Sequence, residues 1–253
     1  MPLVARLLNV FAIPAEVFEE VKASRPRVAN WLLPACLSMV AAVLTTLVLV
    51  SQPAMQKQLR EASEQQVKAI EEQVKQGKLK QDFLVKLVGQ DKVVAATRVL
   101  AAPVTAKTLA ASGAAFAGLL RVFWWGFVLW LLGRIFLKVA VPYLKALEVA
   151  GLALMISLLG TGVRLLLMLN VPRLLATSSL AMASTDFDPA KGSFLLAAAD
   201  KVFSLWFIGV LSVGLARLAD VPFLRAAWFV FGIWLIQQAL LGLLVGGLMR
   251  VGM

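Results

Sequence analysis

Arg121 stands inside a long apolar run, Leu109–Lys138, which reads LAASGAAFAGLLRVFWWGFVLWLLGRIFLK and carries a second arginine, Arg134, near its end. About 20 apolar residues at 1.5 Å each cross a hydrocarbon core of roughly 30 Å, so the run reads as a membrane span. A charge near the middle of a span costs about 2.5–3.5 kcal/mol on insertion scales, and such groups face protein or a water-filled cavity. Arg121 is therefore the first candidate site. Gln237 and Gln238 lie at the middle of another apolar run, Arg164 about a turn and a half from the outer end of a third, and Asp200 on the outer edge of a fourth. As a set, these groups suit a lipid headgroup or a polar cavity between helices. The plain alternative is helix-to-helix hydrogen bonding, at under about 1–2 kcal/mol each.

Enzyme chemistry finds little support. The 253 residues include no histidine, which removes the usual general base and the commonest metal ligand. A Ser-His protease is thereby excluded, and the aspartates sit in loops or at span edges rather than paired on facing spans. Glu19-Glu20 followed by Arg25 is superficially like a glutamate-type membrane protease, but it precedes the first span at the wrong spacing. No phosphate-binding glycine loop, metal cluster or nucleotide fingerprint occurs. The expectation is a non-enzyme with no cofactor and no metal.

Composition places these residues. The chain is 60% hydrophobic and 15% charged, with mean hydropathy +0.85, against about 45–50% and 25% for a soluble domain. The excess falls in blocks of about 20 residues, and strand alternation is missing, so the fold expected is an all-α polytopic membrane protein. The net charge of +11 sits in segments between spans, where it sets orientation and meets anionic lipid headgroups rather than nucleic acid. Cys36 is the single cysteine and lies in the first span, which rules out an intrachain disulfide.

In chain order, residues 1–30 form an amphipathic N-terminal arm. Leu3, Leu7, Leu8 and Phe11 recur at helical spacing, and Pro14-Ala-Glu-Val-Phe-Glu-Glu opens a second short helix with Val17, Phe18 and Val21 on one face. Pro14 and the glutamates suit a helix start. The expectation is an interfacial arm lying on the membrane surface. The first span, WLLPACLSMVAAVLTTLVLV (31–51), places Pro34 in its first turn. Residues 52–108 turn polar, with Glu64–Lys68 and Glu71–Lys75 spaced to meet on a helix. They read as an amphipathic helical hairpin outside the cytoplasm. Residues 109–253 supply four more spans. The third is roughly Ala146–Leu169, holding Glu148 at its inner end, and the outer loop after it includes Thr185–Lys191. A short fourth covers Lys201–Ala216, and the fifth, Ala226–Met249, carries Gly242 and Gly246 at close-approach spacing.

Lys22, Arg25 and Arg27 before the first span, with Arg134, Lys138 and Lys145 after the second, orient the N-terminus to the cytoplasm and the C-terminus outside. The basic hairpin breaches that rule, which weakens for long translocated loops. The depth of Arg121 stays open. If Leu109–Gly133 spans, it lies at the midplane. If Ala114–Leu137 spans, it lies about 10 Å from the outer end and snorkels outward.

The order of features resembles the bacterial branch of the Yip domain family, the relatives of the Ypt/Rab-interacting proteins. The resemblance rests on Asn9-Val-Phe-Ala-Ile-Pro-Ala-Glu-Val-Phe-Glu-Glu20, on Trp31-Leu-Leu-Pro34, on Tyr143-Leu-Lys-Ala-Leu-Glu148 with Gly151, and on Asp200-Lys-Val-Phe-Ser-Leu-Trp206 with Gly209 and Gly214. It implies five spans, a cytosolic N-terminus and a bacterial cytoplasmic (inner) membrane. The Asp-Leu-Tyr-Gly-Pro signature of the eukaryotic branch is missing, so partnership with small prenylated GTPases does not carry over. Two functions remain in play. One is a membrane-organising or adaptor protein acting through helix and lipid contacts, with a membrane-protein partner or a second copy. The other is a small lipid or solute translocator with Arg121 lining its path.

Overall fold

The computed structural model describes residues 1–51, 56–57, 61, 64, 103–170 and 193–251. Among the described residues every regular element is helical: α1 (Leu3–Asn9), α2 (Pro14–Ala23), α3 (Ala29–Ser51), α4 (Pro103–Leu131), α5 (Tyr143–Asn170), α6 (Ser193–Ala219) and α7 (Phe223–Val251). Each of α3 to α7 holds a stretch long and apolar enough to cross a membrane. Large apolar side chains such as Leu37, Phe116, Leu166, Trp228 and Leu243 stay exposed on them. Water penalises such faces and hydrocarbon does not. The chain is an all-α, multi-pass membrane protein.

The fold divides into two compact units. The first comprises Met1–Ala41, Ala117–Arg164 and Leu195–Met253, and the second comprises Ala42–Phe116 and Leu165–Phe194. In the second unit, the Thr46 hydroxyl donates to the Ala42 carbonyl at 2.8 Å, and Lys57 pairs with Glu61 at 3.8 Å one helical turn on. The rest of the hairpin expected over 52–108, up to residue 102, lies outside the described residues, as does the Thr185–Lys191 loop.

The first unit is built around α5. Every residue from Lys145 to Leu154 is buried, the condition of a helix enclosed on all sides. Neighbours come close because small residues leave room. Gly151 lies against the Trp31 backbone of α3, and Gly214 of α6 opens a slot that Val149 and Phe18 fill. A Cβ at Gly126 of α4 would stand 2.9 Å from Leu147. These glycines make the close approaches. The side chains around Gly242 and Gly246, where the sequence suggested them, are outside the described set.

Helix limits shift from those read in the sequence. α3 starts at Ala29, which puts Pro34 inside the helix rather than in its first turn. Proline cannot donate to the carbonyl four residues back, and that carbonyl, of Asn30, lies beside Gly151. α4 starts at Pro103, in the N1 position that proline favours. It ends in a π turn, Leu132–Phe136, where the Leu137 amide donates to the Leu132 carbonyl at 3.0 Å. α6 starts at Ser193, so the fourth span continues a longer helix than its apolar run suggested.

The arm differs most in what covers it. Val17, Phe18 and Val21 are fully buried in the core with Leu7 and Val10, packed on protein rather than lying against lipid. An amphipathic period shows that one face is buried, and says nothing of what buries it.

Candidate functional site

Arg121, Gln237 and Gln238 line one cavity of about 730 Å³, together with Leu120, Trp124 and Phe207 among others. Helices α4, α6 and α7 build it. The period of α4 sends Val122 and Trp125 into the core and leaves Arg121 and Trp124 facing the opening. Trp125 meets Phe207 of α6 edge to face at 5.7 Å, which fixes the α4–α6 wall. The Arg121 guanidinium lies over the Phe207 ring, 4.8 Å from its centre, an arrangement that strengthens out of water. The Trp124 indole N–H donates to Gln237 Oε1 at 3.4 Å and ties α4 to α7.

The lining offers a guanidinium, two amides and the Ser204 hydroxyl, with aromatic walls and no carboxylate among the described residues. Such a set favours an oxygen-rich anionic group attached to an apolar body. Its polar members share one level. Arg121, Ser204 and Gln237 each lie 14 or 15 residues from the end of their apolar stretch on the side where the arm docks. At 1.5 Å per residue that is about 21–23 Å, past the midpoint of a core of roughly 30 Å.

Arg164 lies on α5, half-buried and outside the lining of this cavity. Asp200 belongs to α6 where the side chains are outside the described set. Three of the five sequence candidates therefore come together, one stands apart, and one is placed only by its backbone.

A second polar constellation escaped the sequence reading, which put Lys145 in a basic loop and Glu148 at a span end. Both are buried in the first turns of α5. Glu148 accepts hydrogen bonds from the Asn30 side-chain amide and from the Arg27 backbone N–H, the latter at 3.1 Å. Lys145 lies 3.4 Å from Glu148 and donates to the carbonyls of Val21 and Ser24, at 2.5 and 2.6 Å. Those carbonyls end α2, so the ammonium caps that helix and complements its dipole. Two further ion pairs support the arm, Lys22 with Asp220 at 2.5 Å and Arg6 with Glu20 at 2.9 Å. Hydrogen bonds from the N-terminal ammonium and then from Arg6 hold the Glu20 carboxyl below the usual carboxylate range, against the opposing effect of burial. The available signal was an acid and a base three residues apart at the start of an apolar helix.

The model of the Yip1 domain matches residues 8–246 of the chain. No curated protein and no solved structure matches it.

Proposed function

The chain belongs to the Yip1-domain family of membrane proteins, and from that premise we propose that it is a non-enzymatic membrane-organising protein that holds an anionic amphiphile, a lipid headgroup with its chains, in the Arg121 cavity. The observation that carries this reading is the convergence of Arg121, Gln237 and Gln238 on one aromatic-walled space with no acidic lining among the described residues. A guanidinium there gains most from an anion that brings its own apolar surface into the membrane.

Orientation follows from charge. Arg25, Arg27, Arg134, Lys138, Arg217 and Arg225 sit at the helix ends where the arm docks, which supports a cytoplasmic arm in a bacterial cytoplasmic membrane. The cavity then opens in the outer half of the bilayer.

The test is lipid analysis of purified protein. The Arg121→Gln protein is expected to reach wild-type level and thermal stability while losing a co-purifying anionic lipid. Equal loss of protein level and lipid would make Arg121 structural and sink the reading. The same cavity would serve a small lipid or solute translocator, and the two part on movement. In proteoliposomes, Arg121-dependent transfer of labelled lipid between leaflets would favour translocation, and binding without transfer favours the organising role.

A further inference from the structure

A second cleft, of about 540 Å³, lies where α4 ends, lined by Trp130, Arg134, Lys138, Val141 and Tyr143 among others. Three features of the backbone build it. The π turn at Leu132–Phe136 breaks the α-helical register and swings Arg134 onto the Trp130 side, its guanidinium 5.6 Å from that ring. The chain then folds back so that Val141 packs on Gly133, where a Cβ would stand 2.8 Å from Val141. Between them Lys138 takes a φ of 57°, a left-handed conformation that glycine adopts freely and a long side chain resists. Single π turns and such backbone outliers collect at functional sites. Here both serve to aim two cations at one cleft.

We propose that this cleft is a binding site for the phosphate of an anionic phospholipid headgroup. Arg134 supplies a planar fork and Lys138 a point charge, the two usual phosphate ligands, and both side chains are exposed. No carboxylate lines the cleft among the described residues. Trp130 and Tyr143, whose rings meet edge to face at 6.4 Å, are the residue types that settle at headgroup level. The apolar stretch of α4 ends at Phe136, which sets the cleft at the membrane boundary. Ile135, Phe136 and Leu144 remain exposed beside it. Those three favour a lipid, whose chains would cover them, over free phosphate, which would leave them bare.

The site is independent of the Arg121 cavity, so the experiment uses the full-length Arg121→Gln protein, in which this cleft is the site that remains. Native mass spectrometry would titrate that protein with phosphatidylglycerol, with phosphatidylcholine and with inorganic phosphate. The expected result is a phosphatidylglycerol adduct at least tenfold more abundant than the phosphatidylcholine adduct, lost on adding R134Q and K138Q. The single variant Lys138→Gly separates binding from folding. It relieves the left-handed strain and should melt no lower than its parent, yet bind phosphatidylglycerol several-fold more weakly. Equal adducts with both lipids, retained binding in K138G, or inorganic phosphate that displaces the lipid at equimolar concentration would each overturn the proposal.

Discussion

Replacing Glu148 by alanine should release the N-terminal arm. The carboxylate is 1% exposed and serves Asn30, the Arg27 amide and Lys145 together. Its removal leaves two buried donors without an acceptor, at about 1–3 kcal/mol each. Lys145 keeps the Val21 and Ser24 carbonyls and so remains partly satisfied. Breaking a buried ion pair from one side costs about 3–5 kcal/mol, and the two estimates agree. For a chain of this length the loss corresponds to a melting shift on the order of 6–20 °C. Thermal unfolding followed by tryptophan emission in detergent reads the shift, and limited trypsin digestion at Arg25 and Arg27 reads arm release. Methionine at both 145 and 148 should recover most of the stability, because buried pairs are often replaceable by apolar side chains of similar volume. An E148A protein that melts within about 2 °C of wild type, with unchanged cleavage of the arm, would refute the assignment of these contacts as the latch.

Gly151→Val should lower melting well beyond Gly162→Ala, because a side chain at 151 meets the Trp31 backbone whereas position 162 has open space; equal effects in the same melting assay would contradict the packing. Arm docking should also depend on acid. The Glu20 carboxyl is held below its ordinary 4.5, so its contribution is complete above pH 4.5 and fades as pH falls through the lowered value. Hydrogen exchange of residues 3–23 should therefore be flat from pH 7 to about 5 and rise below about 4 once corrected for intrinsic rates, a rise that Glu20→Gln abolishes. Topology is checked by Lys75→Cys in a Cys36→Ser background. An impermeant thiol reagent should label it in intact cells, and labelling only after the cytoplasm is opened reverses the orientation.

Hydropathy made the object legible before any coordinates. A membrane span needs about 20 apolar residues and every backbone polar group satisfied within the segment, so five long apolar runs in this chain could only be helices. The polar groups inside those runs, Arg121 and the Gln237-Gln238 pair, were legible as candidates for the same reason: lipid is a poor solvent for them.

What those groups face was decided by the tertiary structure. Composition left Arg121 at either of two depths and without named neighbours; the pairing of α4 with α6 and α7 set it over Phe207 and level with Ser204 and Gln237. Periodicity marked Val17, Phe18 and Val21 as a buried face, and only the slot at Gly214 showed that α6 covers it. Lys145 and Glu148 read as an ordinary charged helix start until the arm, more than 100 residues earlier in the chain, closed over them. The physical reason is one of range. Transfer from water to hydrocarbon is a property of each segment alone, and the sequence by itself determined it. Which helix meets which depends on side-chain volumes and hydrogen-bond partners far apart in the chain, and folding in three dimensions settles those.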